Sequence, residues 1–482
     1  MLDMERVDKW IDEHKQQIVD ELCAWIRIRS VSDETEAQPG QPFGPGCAQM
    51  LEYALASARE KGFKTENHDG YAGSVYMGEQ TAGEIGIVAH LDVVPEGNDW
   101  VHDPFKGEVI GASDTFPGYI VGRGSSDNKG MGVMGLYAMM CVRDLELPLK
   151  HRLRLLLGTS EETGMSDMKH MTDLAAKEGS GVTLPDVTLV PDAGFPVCYG
   201  QKGRMVVEIL LECGDDLLAF EGGSVPNAVP DRALAVLRDL DDMTIEELRL
   251  DQEVERINHG VVIRSQGKAA HAAAPENGIN AIGVLARALL ETGRLTPETR
   301  RAMRAIKKLL SDNYGEGAGI ACEDEQSGKL TFACGMARFN AGRITLTMDC
   351  RYPVTADIND MRARLCVNLA GMGAVIKHID ISPAFYMEES DPRIQALTQA
   401  YREITGDTES KNYTMGGGTY SKDLPCAITF GGSFPNDDPV PDGLLPEGHG
   451  GAHSPDEIAS IKSLLKTLKV YVYAISKLDD VI

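Results

Sequence analysis

The segment Ile85-Gly-Ile-Val-Ala-His90-Leu-Asp92 decides the fold class, because a short apolar run leads directly into two polar residues. Two further apolar runs, Leu153–Leu157 and Val187–Val190, have the same character, and turn residues bound all three. Runs of this length are typical of buried strands. A helical pattern lies between them at residues 131–145. This alternation predicts an α/β sheet layered by helices, with functional residues in the loops that follow the strands.

Beyond residue 200 the pattern changes. Residues 205–212 and 343–348 partly alternate apolar with polar side chains, as half-exposed antiparallel strands do. Helical patterns lie between these strands, over 280–292 and 300–310. We therefore predict a catalytic α/β domain, formed by residues 1–197 and 388–482, that is interrupted by an inserted α+β domain of residues 198–387.

The two ends of the chain are also predicted to be helical. Near the start, apolar residues recur at the spacing of an amphipathic helix, at Val7, Trp10, Ile11, Ile18, Leu22 and Trp25. Near the end, a helix is predicted over 455–477, with Ser454 as its cap and Pro455 in its first turn. Acidic residues within the first 30 positions do not fit the apolar stretch of a secretory signal. The sequence contains no run of about 18 uncharged apolar residues, so it predicts no membrane-spanning helix.

The amino-acid composition limits the binding partners and the cellular compartment that we expect. The 482 residues include 47 Lys plus Arg against 73 Asp plus Glu, a net charge of −26. Nucleic acid and anionic lipid both require basic surfaces, so we expect neither as a partner. The 10 cysteines are scattered singly, which favours reduced and mostly buried thiols in a cytoplasmic protein.

Five segments place a metal-capable residue after a predicted strand or in a glycine-rich turn. They carry His90 and Asp92, Asp127, Glu161 and Glu162, Asp192, and His453. Taken singly, none of them decides the function, because a surface position, a turn, a solvated loop or a helix start explains each of them as well. Together, imidazole and carboxylate without thiolate suit Zn²⁺, Mn²⁺ or Co²⁺ at a hydrolytic site, and an Asp that bridges suits two metals about 3.5–4 Å apart.

The same segments resemble the M20 metallopeptidase family. They are HLDVVP at 90–95, GRGSSDNKG at 122–130, GTSEETG at 158–164, PDAGFPV at 191–197 and GAHSPDE at 451–457. Their order and spacing are most similar to its bacterial dipeptidase branch, the PepV-like (carnosinase-like) dipeptidases. The resemblance implies a mixed-sheet dinuclear-metal peptidase domain with an inserted α+β lid domain, and two divalent metal ions per chain, Zn²⁺ before Mn²⁺ or Co²⁺.

The resemblance also implies a role for each matching residue. Asp127 would bridge the metals, with Glu162 and His453 completing one metal's ligands and His90 and Asp192 the other's. Glu161 would be the general base and then the general acid, and Asp92 would support His90. In the inserted domain, His271 would reach the scissile carbonyl, which requires the lid to close. The implied substrate contacts are Asn227, Arg351, Gly417, Gly418 and Thr419.

Plainer interpretations of the inserted domain remain open. His271 is compatible with a capping or core residue, Arg351 with a solvent-facing one, and the glycines with a linker. Two positions depart from the family pattern: Ala272 stands where a Ser often follows the His, and Gly194 replaces an acid.

The expected activity is hydrolysis of dipeptides and other short peptides with a free C-terminus. An N-acyl-amino-acid deacylase, a desuccinylase or a short carboxypeptidase is the alternative within the family. A non-catalytic scaffold would have lost metal ligands, and a two-metal phosphohydrolase would need a basic cluster near these motifs. In the family, a smaller lid often dimerises, whereas the long inserted domain here resembles the version that replaces the partner internally. The resemblance therefore favours a monomer over a homodimer.

Overall fold

The computed structural model describes residues 3–79, 83–238, 240–248, 251–437 and 439–482. The chain divides into two compact units. The first unit comprises the chain up to Tyr199, together with Met387–Tyr413 and Thr419–Ile482. The second unit comprises Gly200–Tyr386 and Thr414–Gly418.

The helices and strands of the described residues follow in chain order. The α-helices are α1 (Met4–Ile26), α2 (Gly44–Glu60), α3 (Lys129–Asp144), α4 (Ser166–Ala176), α5 (Asp242–Leu248), α6 (Ala281–Glu291), α7 (Pro297–Leu309), α8 (Ile358–Gly371), α9 (Pro392–Thr405) and α10 (Ile461–Leu478). The strands are β1 (Lys64–His68), β2 (Ala72–Met77), β3 (Glu84–His90), β4 (Glu108–Ile110), β5 (Tyr119–Val121), β6 (Arg152–Gly158), β7 (Val187–Val190), β8 (Ala193–Gly194), β9 (Val197–Gln201), β10 (Gly203–Glu212), β11 (Leu217–Gly222), β12 (Ala228–Val229), β13 (Arg232–Leu237), β14 (Glu253–Ile257), β15 (Gly260–Gln266), β16 (Ala270–His271), β17 (Glu323–Asp324), β18 (Gly328–Lys329), β19 (Thr331–Asn340), β20 (Arg343–Tyr352), β21 (Val375–Ser382), β22 (Phe385–Tyr386), β23 (Tyr413–Met415), β24 (Ala427–Phe430), β25 (Gly432–Ser433) and β26 (Ile458–Ser460).

The first unit is built on a mixed sheet. Its strands run in the order β1-β2-β6-β3-β7-β24-β9. The central strands β6, β3, β7 and β24 are parallel, and the flanking pairs are antiparallel. All residues of β3 and β7 are buried, as expected for strands covered on both faces. Helices α1, α3 and α10 contribute to the core that the sheet shares, and α1 buries the apolar stripe predicted for it. The predicted α/β architecture is confirmed.

The second unit has an antiparallel sheet with the order β14-β15-β13-β11-β19-β20-β10-β21. Burial alternates along β10, as the sequence predicts for a strand with one solvated face. Helices α6 and α7 bury their apolar sides in the same core as the sheet. Both helices lie where the sequence pattern predicts helices.

One predicted helix start is wrong. The final helix begins at Ile461 with Ser460 as its cap. This start is six residues later than the predicted one, which was Pro455 with Ser454 as the cap. The intervening residues Ile458–Ser460 form β26, which pairs with β5. Pairing with a strand far away in the chain therefore takes precedence over the local capping signal.

Two further expectations concern the whole chain. None of the 10 cysteines forms a disulfide, and Cys426 is the exposed one among them. Among the described helices, none combines the length and apolarity needed to cross a membrane.

Candidate metal centre

Three strand ends of the first unit meet at one edge of its sheet. β6, β3 and β7 are adjacent and parallel, so their carboxyl ends face the same way. His90 is the last residue of β3, Glu161 and Glu162 follow β6, and Asp192 follows β7. Open α/β sheets bind their ligands beyond these ends. The topology therefore collects residues that are distant in the chain into one place.

Two loops bring the remaining candidates to the same edge. Asp127 lies between β5 and α3, and His453 lies shortly before β26. Because β26 pairs with β5, the two loops lie side by side. Gly124 makes the first loop possible, since its φ is +87° and a Cβ there would lie 3.0 Å from the Cδ of Lys129.

The side chains converge on Asp127. Its Oδ1 lies 3.0 Å from Nε2 of His90, and its Oδ2 lies 3.1 Å from Nε2 of His453. Asp192 Oδ1 is 3.8 Å from the same His90 nitrogen, and Glu162 Oε1 is 2.9 Å from that of His453. Two sets of donor atoms therefore share one carboxylate, each with all its members within 4.8 Å of one another: His90–Asp127–Asp192 and Asp127–Glu162–His453.

The His90 ring is fixed by its other nitrogen. Nδ1 lies 2.9 Å from the main-chain oxygen of Asp92, and a carbonyl oxygen only accepts hydrogen bonds. Nδ1 therefore carries a proton, and Nε2 is the nitrogen that faces Asp127. This is the usual arrangement for a metal-binding imidazole. The Oδ1 atom of Asp92 is farther away, at 3.5 Å from Nδ1.

The Asp92 carboxylate holds the loop after β6. Its Oδ1 accepts the N–H of Glu161 at 3.1 Å, and its Oδ2 accepts the N–H of Glu162 at 3.0 Å. Asp92 is fully buried, so these bonds are shielded from water. One aspartate therefore supports His90 through its main chain and both glutamates through its side chain.

The carboxylates of the cluster shift the pKa values of neighbouring groups. Hydrogen bonds to Asp127 and Glu162 raise the pKa of His453 to about 10. Burial and the neighbouring charge of Asp192 raise the pKa of Glu161 well above its usual range. Nearby carboxylates therefore contribute to both shifts, and burial adds to the shift of Glu161.

This donor set fits divalent metal ions. The clustered ligand atoms are imidazole nitrogens and carboxylate oxygens, the combination that suits Zn²⁺ and also Mn²⁺ or Co²⁺. Asp127 directs Oδ1 at His90 and Oδ2 at His453, so its carboxylate would serve both sets if metal ions were bound. Glu161 belongs to a third group with His90 and Glu162, so it lies beside both sets.

In the second unit, the predicted residues Asn227 and His271 are neighbours. Ala228 of β12 pairs with His271 of β16, and the main-chain oxygen of Asn227 accepts the N–H of Ala272 at 2.9 Å. The N–H of Ala273 donates to Nδ1 of His271 at 3.1 Å. Since Nδ1 is the acceptor, the neutral ring carries its proton on Nε2.

The Arg351 guanidinium is already bonded within the second unit. Its Nε and Nη2 donate to the two oxygens of Asp349, at 2.6 and 3.2 Å. Its Nη1 donates to the main-chain oxygen of Gly416 at 3.3 Å. Asp349 therefore occupies the Nε–Nη2 edge of the guanidinium, which would otherwise pair with a substrate carboxylate. Through Nη1, Arg351 also supports the glycine-rich loop.

The predicted glycine-rich segment is divided between the units. Gly417 and Gly418 belong to the second unit, and Thr419 belongs to the first. The buried Thr419 hydroxyl oxygen accepts the N–H of Ser421, where a short 3₁₀ helix begins. Thr419 therefore has a local structural role besides any contact with substrate.

Residues 86–477 match the sequence model of peptidase family M20/M25/M40. The chain belongs to this family. It is therefore a metallopeptidase and a hydrolase, as its sequence motifs predict. Its M20 membership covers both units, since the matched region runs from β3 into α10.

Curated relatives that are named as putative dipeptidases cover nearly the whole chain. The "Putative dipeptidase YtjP" of Bacillus subtilis (strain 168) is 32% identical over 483 residues, covering 96% of this chain and 97% of the relative. SH1171 of Staphylococcus haemolyticus (strain JCSC1435), named in the same way, is 28% identical, with 97% and 98% covered.

Solved M20-type structures share the fold. Human carnosine dipeptidase 1 superposes with a TM-score of 0.57 at 15% identity, covering 99% of both chains. Bacillus subtilis YXEP, described as a dinuclear metal binding peptidase from the M20 family, gives 0.53 at 9% identity, covering 98% of this chain and 100% of that one. At these identities the likeness concerns the fold.

Sequence reasoning missed the buried charged residues that hold the candidate metal ligands in place. Arg123 and Glu457 lie inside two of the recognised motifs and are fully buried, as is Asp167, which accepts the N–H groups of Thr159 and Ser160 at 2.6 and 2.9 Å. Charged residues inside the motifs were the available signal. Their burial depends on partners far away in the chain, which spacing does not reveal.

Proposed function

We propose that this M20 enzyme is a dipeptidase that hydrolyses the peptide bond of dipeptides and other short peptides with a free C-terminus, using two divalent metal ions. The main support for the proposal is the position of the Asp127 carboxylate. Its two oxygens lie 3.0 Å from Nε2 of His90 and 3.1 Å from Nε2 of His453. The relatives named as putative dipeptidases support the choice of substrate class, and they cover 96% and 97% of the chain.

In this proposal, the metal ligands are the two sets that share Asp127. His90 and Asp192 complete one set, and Glu162 and His453 complete the other. Zn²⁺ is the ion we propose, because imidazole and carboxylate ligands suit it, with Mn²⁺ and Co²⁺ as the ions to compare. When bound, two such ions lower the pKa of a water molecule and polarise the substrate carbonyl.

Glu161 would carry the proton. Its main-chain N–H is bound to Asp92, and its carboxylate lies in one group with His90 and Glu162. A carboxylate beside the reacting water is well placed to accept its proton and then to deliver that proton to the leaving amine. Asp92 fixes the loop that presents Glu161, and it therefore acts as a positioning residue.

His271 would stabilise the oxyanion. Its Nδ1 accepts the N–H of Ala273, which leaves Nε2–H as the donor. A neutral imidazole that donates from Nε2 matches what a developing oxyanion requires, and losing such a donor typically costs about 2.7–4 kcal/mol of barrier. Alanine at position 272 leaves this hydrogen bond intact, because the main chain of the following residue provides it.

Asn227, Arg351, Gly417, Gly418 and Thr419 are the proposed substrate contacts. Since Asp349 occupies Nε and Nη2 of Arg351, we propose that the substrate carboxylate meets Nη1, which makes only a 3.3 Å bond to Gly416. Asp349 would then orient the guanidinium.

A second candidate activity is deacylation of N-acyl amino acids, and Gly194 favours it. This residue offers no side-chain charge to pair with a free ammonium group near Asp192. Its N–H donates to the Tyr413 hydroxyl at 3.0 Å, and that hydroxyl lies 3.1 Å from its main-chain oxygen, so the segment is held in place without an acid.

A substrate panel separates the two activities. Ala-, β-Ala- and Gly-linked dipeptides are compared with N-acetyl and N-succinyl amino acids, each with Zn²⁺, Mn²⁺ and Co²⁺. The dipeptidase proposal expects the highest kcat/KM on a dipeptide with a free amine. A preference for the blocked amines would contradict it and would favour the deacylase.

A further inference from the structure

A buried ion pair lies behind the proposed metal ligands of the first unit. Nη1 of Arg123 donates to Oε2 of Glu457 at 2.8 Å, and the two side chains are 1% and 0% exposed. The guanidinium also lies over the Trp100 ring, 5.1 Å from its centroid. Burying two charges is costly unless further hydrogen bonds satisfy them, so the remaining partners of the pair are informative.

The Glu457 carboxylate holds the loop that presents Asp127. Its Oε1 accepts three hydrogen bonds of 3.0 Å, from the N–H and hydroxyl of Ser126 and from the N–H of Asp127. Its main-chain oxygen accepts the N–H of Gly122 at 2.9 Å and the hydroxyl of Ser125 at 3.1 Å. One glutamate therefore fixes both ends of the loop and the main chain of Asp127.

Arg123 reaches the second ligand loop. Its Nη2 donates to the main-chain oxygen of His453 at 3.3 Å. His453 has a φ of +62°, in the left-handed region that disfavours residues with a Cβ. Such a conformation persists only where its surroundings enforce it, and this hydrogen bond is one such restraint.

The ion pair thus connects the two residues that share a metal position. Asp127 and Glu457 are 330 positions apart in the chain, yet the pair binds the main chain at Asp127 and at His453. Both charged side chains are buried, so neither is exposed to solvent. We therefore expect the ion pair to act on the two loops that it connects.

We propose that Arg123 and Glu457 are positioning residues that set the distance between the Asp127 carboxylate and the His453 imidazole. They would thereby set the affinity of the metal ion that these two ligands share with Glu162. This inference rests on the proposed two-metal function. Partners of this kind typically change metal affinity by about 10–100-fold when they are altered.

The test is Zn²⁺ binding by the metal-free full chain, measured by titration calorimetry. Glu457→Gln keeps the shape of the side chain and replaces one oxygen by an amide group that confronts Arg123. Arg123→Lys keeps the charge opposite Glu457 and removes the branch to His453, so it provides the measurement if Glu457→Gln does not fold. The proposal expects one of two Zn²⁺ steps to weaken by about tenfold or more in each folded variant.

Glu84→Gln is the matched control. Glu84 is 1% exposed and forms an ion pair with Arg152 in the same unit. It begins the seven-residue strand that ends at His90, so it lies about 20 Å from the ligands. This variant should lower the melting temperature and leave both Zn²⁺ affinities at their wild-type values.

The outcomes separate this inference from the function on which it rests. If wild-type protein binds two Zn²⁺ ions and the folded Arg123 or Glu457 variants bind them equally well, the positioning role is wrong and the two-metal proposal stands. A loss of melting temperature without a loss of affinity would have the same meaning. If wild-type protein binds no Zn²⁺, the two-metal proposal fails, and this inference fails with it.

Discussion

His90 directs its Nε2 atom at Oδ1 of Asp127 across 3.0 Å. Nδ1 donates to the main-chain oxygen of Asp92. Burial alone would lower the pKa of His90, but its hydrogen bonds to Asp127, Asp192 and Asp92 raise this pKa well above the usual range, so without a metal ion Nε2 carries a second proton and donates it to Asp127. A divalent cation bound by these two groups would take the place of that proton, and only the folded chain brings the two ligands together. The native fold and a bound metal ion should therefore stabilise each other.

The first prediction concerns metal removal. Zn²⁺ at about 100 times its dissociation constant should raise the free energy of unfolding by about 2.7 kcal/mol per site over protein treated with a chelator, because the unfolded chain lacks the assembled ligands. Differential scanning calorimetry measures the shift. His90→Ala should reduce it. Equal melting temperatures with and without Zn²⁺ would contradict the proposed site.

The second prediction concerns His271. His271→Ala should lower kcat by about 10²–10³-fold, because the oxyanion loses a donor, while the metal content stays the same. Steady-state kinetics and elemental analysis of the same preparation test both parts. His378→Ala is the control, since His378 is an exposed histidine on β21 of the same unit. A His271 variant with wild-type turnover would remove this residue from the mechanism.

The third prediction concerns Tyr420, whose hydroxyl donates to Asp167 at 2.5 Å. Asp167 also accepts the N–H groups of Thr159 and Ser160, just before Glu161. Tyr420→Phe should therefore lower both kcat and the free energy of unfolding, the latter by about 1.5–3 kcal/mol.

Tyr401→Phe is the matched control for this prediction. Tyr401 is also buried, and its hydroxyl donates to Asp407 at 2.7 Å in the same unit. Its loss should lower stability, measured by urea unfolding, and leave kcat unchanged. If both variants lose only stability, Tyr420 has no role in positioning Glu161.

The fourth prediction concerns pH and Asp216 of the second unit. Its carboxylate accepts hydrogen bonds from the hydroxyls of Thr296 and Thr299 and from the N–H of Thr296, at 2.6, 2.5 and 2.8 Å. Burial alone would raise the pKa of Asp216, but these hydrogen bonds outweigh it and lower the pKa. The ionised group therefore stabilises the fold above the unfolded pKa of about 3.9, and this contribution is lost as the pH falls through the lower folded pKa.

Asp216→Asn should consequently destabilise the protein more at about pH 7 than at about pH 3. Urea unfolding at the two pH values gives the difference. Asp215→Asn, at the exposed neighbouring position, should leave the pH dependence unchanged. An equal penalty for Asp216→Asn at both pH values would show that the carboxylate is not preferentially bound in its ionised form.

The sequence predicts the strand ends that carry the candidate ligands better than it predicts the contacts that hold the adjoining loops in place. Short apolar runs identify β3, β6 and β7, and parallel strands bring His90, Glu161 and Asp192 to one edge whatever the loops do. By contrast, Ser454 looks like a helix cap only until Ile458–Ser460 pairs with β5, a contact that no local pattern contains.

Arg351 illustrates a different limit. Asp349 lies two positions earlier on β20 and therefore on the same face, so the pairing with Arg351 follows from strand periodicity. The connection from Arg351 to Gly416 depends instead on a segment that follows much later in the chain. Local patterns thus reveal one partner of the guanidinium and miss the other.

If Glu161 moves the proton at a two-metal site, Glu161→Gln should lose turnover at saturating Zn²⁺ while it still binds the metal. Glutamine keeps the volume of the side chain and the N–H that Asp92 accepts, but it does not take up a proton. We predict that kcat on the best dipeptide falls by about 10²–10⁴-fold, with two Zn²⁺ still bound per chain. Turnover close to that of the wild type would contradict the account.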